Sequence, residues 1–284
     1  MIDERRLGWF ALLGTWFVWF VLVGSWMIVC SSSGAQSAGN PADAVIAANI
    51  ASRGGITRLK GVHAESMRGH ISFGDGSMHP LSVDIARPQK IRTEITLAGG
   101  TLIQAYDGSV GWTVNPAGGE ADRNPHLLPT GEALNVAAGA DMDGAFVDYA
   151  AKGNRVTLAG IDTADGRPAY RLDIVTATGL NDSYYIDTVS HLQTKWMGHR
   201  VMNGTPVVFI SFFRDYRPVD GIMIAFRIDS QTQGQEGGQR ITMDTVRINP
   251  NVVDEEFAMP VAPPSKASLP SSETRMRPSR HSTP

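Results

Sequence analysis

The sequence predicts an α+β protein: one long antiparallel sheet of about ten strands, with short helices only near its start and middle. Three observations carry this. From Gly61 onward apolar and polar residues alternate with a period of two in run after run. Turn dipeptides punctuate those runs at intervals too short for the crossovers that parallel strands need. Two stretches, 40–54 and 126–153, break the alternation and read as helical.

The head of the chain comes first. Asp3, Glu4, Arg5 and Arg6 precede an uncharged run from Leu7 to Cys30 that holds Trp9, Trp16, Trp19 and Trp26. A basic stretch, an apolar stretch and small residues at Ser33-Gly34-Ala35 have the layout of a secretory signal cleaved after Ala35. The apolar run is nevertheless longer than the roughly 7–15 residues of a signal core, and it matches the roughly 20 that span a bilayer. Residues 1–35 are therefore a signal peptide or a signal anchor, and both readings stay open. The paired Arg puts the N-terminus in the cytoplasm, so the body is exported either way. It is then soluble in the periplasm after cleavage, or tethered to the inner membrane through residues 7–30. Cys30 follows Met27, Ile28 and Val29, whereas a lipidated Cys wants a small residue just before it, so it reads as one more apolar residue of the run.

The body spans 36–260. Asn40-Pro41 opens a helix, with Asn as cap, Pro in the first turn and Asp43 complementing the dipole; Gly54-Gly55 closes it. Leu81, Val83 and Ile85 then alternate with Ser82, Asp84 and Ala86, and Ile91, Thr93, Ile95 and Leu97 alternate with Arg92, Glu94 and Thr96. Gly74-Asp75-Gly76, Arg87-Pro88, Gly99-Gly100 and Asp107-Gly108 mark turns, so the order is a meander. Pro129 and Thr130 open a short amphipathic helix through Leu134 and Val136. Asp141 caps a second one through Phe146, Val147 and Tyr149 to Lys152-Gly153. Strands resume at 156–161, 169–176, 183–187, 192–198, 206–216, 222–230 and 241–248, with hairpin turns at Asp165-Gly166, Asn203-Gly204 and Asp220-Gly221. Residues 231–238 form a polar loop. The tail, 261–284, is Pro, Ser and basic residues with too little apolar matter to fold.

Composition narrows the function. The chain has 284 residues, 25 Lys+Arg against 28 Asp+Glu, a net charge of −3 and one Cys. Without a basic stripe, nucleic acid is not a partner. A single Cys excludes an internal disulfide, a Cys-rich zinc site and a Cys-ligated cluster. No HExxH, GxSxG or GxxxxGK[ST] motif occurs. Ser109 lacks the spacing of a nucleophile elbow, and Asp141-Met142-Asp143-Gly144 lacks the later ligands of a calcium loop. His63, His70 and His79 fall on different strand faces or at a strand start, and His191 and His199 lack a carboxylate at fixed spacing. The reading is of a non-enzyme with no catalytic residues, no metal and no cofactor.

What the strands offer instead is apolar bulk. A sheet of about ten strands tends to curl, and a few helices cover only part of its face, so a concave apolar cleft remains. The candidate lining residues, chosen by alternation, begin with Val83, Ile85, Ile95, Leu97 and Trp112, joined by Phe146 from the helical insert. The later strands add Leu172, Ile174, Tyr184 and Ile186, then Trp196, Phe209, Phe226 and Ile228.

Several of these residues carry a resemblance. Tyr184-Tyr185-Ile186-Asp187 is followed by Thr194-Lys195-Trp196, then by Phe213-Arg214-Asp215-Tyr216-Arg217-Pro218-Val219-Asp220-Gly221 and the strand 222–226. The body closes on Ile241-Thr242-Met243-Asp244-Thr245-Val246-Arg247-Ile248-Asn249, with Asp254, Phe257 and Pro260 behind it. Over residues 42–260 this resembles the LolA/LolB-like superfamily of bacterial outer-membrane lipoprotein-sorting and lipoprotein-carrier proteins. The resemblance implies an unclosed half-barrel wrapped on a helical lid, with acyl chains of a lipid or an acylated lipoprotein held between them. The long Trp-rich head and the tail depart from a simple soluble shuttle. They leave room for a membrane-anchored sensor or scaffold domain that binds a partner protein.

Overall fold

A computed structural model describes residues 40–202 and 205–260. The apolar run 7–30, the cleavage site at Ala35, the turn Asn203-Gly204 and the tail 261–284 lie outside the described residues. Helices α1 (Pro41–Ser52) and α2 (Ile56–Gly61) lead into β1 (Ala64–Phe73), β2 (Met78–Ala86), β3 (Lys90–Leu97), β4 (Gly100–Tyr106), β5 (Gly111–Val114) and β6 (His126–Leu127). Helix α3 (Thr130–Gly139) precedes β7 (Arg155–Ala164), β8 (Arg167–Val175), β9 (Asn181–Asp187) and β10 (Gln193–Met202). Strands β11 (Thr205–Val219), β12 (Ile222–Thr232) and β13 (Gln239–Ile248) follow, and a short 3₁₀ turn at Asp254–Glu256 ends the described chain.

All strands belong to one curved, unclosed sheet in the order β6-β5-β4-β3-β2-β1-β13-β12-β11-β10-β9-β8-β7, with every neighbouring pair antiparallel. It is two meanders, β1–β6 and β7–β13, joined where the first strand pairs with the last. At that seam Glu65 faces Ile248 and Ile71 faces Ile241. The thirteen strands exceed the expected ten in part because β5 and β6, of four and two residues, are too short to display alternation. At the seam a bulge between Arg68 and Gly69 shifts the register. Gly69 is required there, since a Cβ would lie 2.0 Å from the Thr242 carbonyl oxygen.

Helix α1 forms as the sequence suggests. The Asn40 side chain accepts from the Ala42 amide at 3.1 Å, and its Nδ2 donates to the Val156 carbonyl at 2.9 Å, pinning the helix start to β7. Its end is pinned as well: the Arg53 carbonyl accepts from the Met223 amide at 3.0 Å at the start of β12. The second helix expected at 141–153 is absent. Left-handed residues at Gly144, Asp148 and Gly153 interrupt any helix there, and the segment is a run of tight turns.

The helices cover the sheet unevenly. Helix α1 lies against β7, and α3 lies against β3, β4 and β5. One large apolar cluster runs beneath them from Ile85 and Ile95 through Val136 and Phe146 to Leu172 and Trp196. Over the middle strands β1, β2, β12 and β13 the cover comes from the turn segment and from helix ends, with Arg53 after α1, Leu59 of α2 and Gly139 of α3 lining the space there.

Candidate functional site

Under that thin roof lies a cavity of about 170 Å³. Its floor is apolar and straddles the seam: Met67 on β1, Val83 and Ile85 on β2, Ile228 on β12, and Ile241 and Met243 on β13. Its roof comes from Met142, Ala145 and Phe146 in the turn segment. Phe146 is fixed by an edge-on contact with Tyr184, ring centroids 5.1 Å apart.

A cluster of ion pairs holds the roof down. Arg87, just past β2, reaches both carboxylate oxygens of Asp143 at 2.9 and 2.6 Å. The same guanidinium donates to the carbonyls of Val62 at 2.6 Å and Leu59 at 3.3 Å, so it ties α2, the sheet and the roof together. Burial opposes ionisation of Asp143, but the Arg87 guanidinium outweighs it and holds the carboxyl below its usual range. Lys152 pairs with Asp141 and donates to the Gly144 carbonyl at 2.8 Å, closing the turn on itself. Burial pushes the Asp141 carboxyl up, against the pull of Lys152.

Few polar groups reach the cavity. The Tyr216 hydroxyl donates to the Gln193 carbonyl at 2.8 Å, and burial pushes its pKa well above the ordinary range. Glu65 and Arg53 also line it. Burial raises the Glu65 pKa, with the charges of Arg53 and Arg87 opposing. No nucleophile–base pair is formed by these groups, and among the described residues no three metal-ligating side chains converge. His70 Nδ1 pairs with Asp244 at 3.0 Å, while His79 Nδ1 lies 3.2 Å from the Thr96 carbonyl. Ser109 and Val110 donate their amides to Asp107, an Asx turn.

Of the residues chosen by alternation, Val83, Ile85, Phe146, Tyr184 and Ile228 line the cavity. The others sit elsewhere. Ile95 and Leu97 pack in the core of the β3 flank, which α3 covers. Leu172, Ile174, Ile186, Trp196 and Phe209 are buried in the wing from β8 to β11. Trp112 is fully buried, its Nε1 donating to the Phe257 carbonyl at 2.8 Å. Phe226 is buried beneath Arg217, whose guanidinium stands 4.5 Å from the ring centre. Alternation finds inward positions; it does not tell a filled wing from a middle left open.

The cavity also holds residues that alternation missed. Phe213 and Tyr216, three apart on β11, both line it, with Asp215 at φ 54° between them, although the register with β12 is unbroken from Phe213↔Ile228 to Tyr216↔Ala225. Glu65 shares a parity with Met67 and pairs with the buried Ile85, so a carboxylate at an inward position was the available signal.

An open antiparallel sheet curled over short helices, with an apolar cavity at its middle, defines the half-barrel class to which lipoprotein-sorting domains belong. The chain has the LolA-like fold. A LolA superfamily protein from Nitrosomonas europaea superposes with a TM-score of 0.52 at 12% identity, over 76% of this chain and 97% of that one. A putative outer membrane lipoprotein-sorting protein domain from Vibrio parahaemolyticus gives 0.51 at 9% identity, over 75% and 94%. A DUF1329 family protein from Desulfovibrio piger gives 0.53 at 12% identity, over 78% and 98%. No family model and no curated protein matches the sequence.

Proposed function

We propose that this chain binds and carries acyl lipids or acylated lipoproteins at the periplasmic face of the inner membrane, either tethered there or released by cleavage. The observation that carries the reading is the apolar cavity at the middle of the half-barrel, roofed by a segment of turns instead of a packed helix.

Its size sets the mechanism. A cavity of about 170 Å³ is close to the roughly 150 Å³ that admits a benzene-sized group. That is room for a segment of about six carbons, worth about 5 kcal/mol at ~0.8 kcal/mol per methylene, a Kd of a few tenths of a millimolar. Tight holding of a full acyl chain therefore requires the roof at 141–153 to move outward. Release is the reverse motion, driven by an acceptor that holds the chain more tightly.

The test is photolabelling of the full chain in lipid nanodiscs with a diazirine-bearing palmitoyl probe, the adducts being mapped by peptide mass spectrometry. Adducts are expected on β1, β2, β12 and β13, and Ala225→Phe, which fills the cavity from its wall, should abolish them. Adducts confined to residues 7–30 and indifferent to Ala225→Phe would refute the carrier reading and favour a tethered domain that binds a partner protein.

A further inference from the structure

The two charged side chains at the cavity wall are not partners of each other. Glu65 projects from β1 between Ile85 and Ile248 in register, and among the described residues its carboxylate makes no hydrogen bond and no ion pair. The charges that act on it are Arg53 and Arg87. Arg87 is already neutralised by Asp143. Among the described residues Arg53 has no carboxylate partner, and its Nη1 reaches the Asp143 backbone carbonyl at 3.4 Å. Both Glu65 and Arg53 nevertheless line the same cavity. One acceptor with a negative charge and one donor with a positive charge thus stand over an apolar floor, and together they sum to zero.

A ligand headgroup entering between them meets a charge rule. A carboxylate or phosphate would satisfy Arg53 and set a second anion beside Glu65. An ammonium would satisfy Glu65 and strand Arg53. A neutral group that donates to Glu65 and accepts from Arg53 leaves nothing unpaired, and leaving a buried polar group unpaired is what weakens binding most. A hydroxyl beside an ester carbonyl, or an amide, offers both functions. We infer that Glu65 and Arg53 form a head-selecting subsite, and that the cavity takes acyl lipids whose polar end is neutral and both donates and accepts, such as a monoacylglycerol or an N-acyl amide. This rests on the cavity being an acyl site. Burial raises the Glu65 pKa against the pull of Arg53 and Arg87, so the carboxylate gains from a hydroxyl donated to it.

The experiment uses the full chain in nanodiscs and three photoreactive probes with the same sixteen-carbon diazirine chain: monopalmitoylglycerol, palmitic acid and hexadecylamine. Wild type should be labelled at the cavity by the glyceride about tenfold more than by either charged probe. Glu65→Gln leaves the site with a net positive charge, so its preference should swing to palmitate. Arg53→Gln should swing it to hexadecylamine. Equal cavity labelling by the three probes, or a Glu65→Gln variant with the wild-type ratio, would overturn the head-selecting subsite while leaving an acyl site in place. Absence of cavity labelling by all three would overturn both.

Discussion

Replacing Arg87 with Met tests whether the roof of the cavity is held by one guanidinium. Its magnitude follows from the contacts. The pair with Asp143 is bidentate at 2.6 and 2.9 Å, and the two side chains are 29% and 16% exposed. That places it between exposed pairs, worth about 0–1 kcal/mol, and fully buried ones, whose breaking costs about 3–5 kcal/mol. About 2 kcal/mol is the expected loss, and the carbonyls of Val62 and Leu59 lose their donor as well. The loss should be local, because the roof is a run of turns while β1 beneath it is paired on both sides, to β2 and to β13. In hydrogen exchange by mass spectrometry, amides at 141–153 should exchange about thirty-fold faster in Arg87→Met, with β1 and β13 unchanged. Asp143→Asn, which keeps an acceptor but loses the charge, should give a smaller effect. The gap between wild type and Arg87→Met should also close in acid. A carboxyl held below its unfolded value of 3.8 stabilises the fold above that pH, and the contribution is lost as pH falls through the folded value. If 141–153 keeps wild-type exchange while the urea midpoint falls, Arg87 secures α2 to the sheet, and the roof is held by something else.

Other substitutions read other parts of the molecule. Glu65 is raised above its unfolded value of 4.5, so its contribution to stability is fullest below that pH and declines as pH rises. Glu65→Gln should therefore raise the melting temperature at pH 7 and leave it unchanged near pH 4; an equal gain at both would show that the charge is not responsible. Trp112→Phe removes the 2.8 Å bond to the Phe257 carbonyl and should cost about 1–2 kcal/mol, seen as faster proteolysis after residue 250. Gly69→Ala places a methyl 2.0 Å from the Thr242 carbonyl oxygen and should cost about 3 kcal/mol or more in urea unfolding. An unchanged midpoint would mean that β1 and β13 are spaced more loosely than described.

The sheet was legible in the sequence because an amphipathic strand writes its own period: Leu81, Val83 and Ile85 are all on the core side. The turn dipeptides fixed the meanders for a similar reason, since Asp165, Gly166, Asp220 and Gly221 adopt positive φ. The failures have physical causes too. At 141–153 the apolar spacing is helical, yet two glycines and an aspartate in left-handed conformation turn the same residues into a cap of loops. Along β11 strict alternation gives way beside Asp215, and no composition rule announces a left-handed residue inside a strand. The cavity was the least legible part. Trp196 and Val83 are both inward on amphipathic strands, but Trp196 packs in the β8–β11 wing and Val83 meets space. That distinction is a tertiary fact that no single strand encodes.

The pairing of β1 with β13 has a consequence for the order in which the protein comes into being. Each meander is local in sequence, so β1–β6 and β7–β13 can assemble quickly and separately. The seam joins residues as remote as Glu65 and Ile248, so closing it is the slow step. The cavity floor is shared across that seam, with Met67 and Val83 on one side and Ile228 and Ile241 on the other. A chain emerging amino end first therefore has no complete cavity until its last strand docks. Once docked, any occupant touches both halves and stabilises their union by mass action. Filling the cavity and completing the fold are thereby coupled, and the empty molecule is the one whose two halves part most easily.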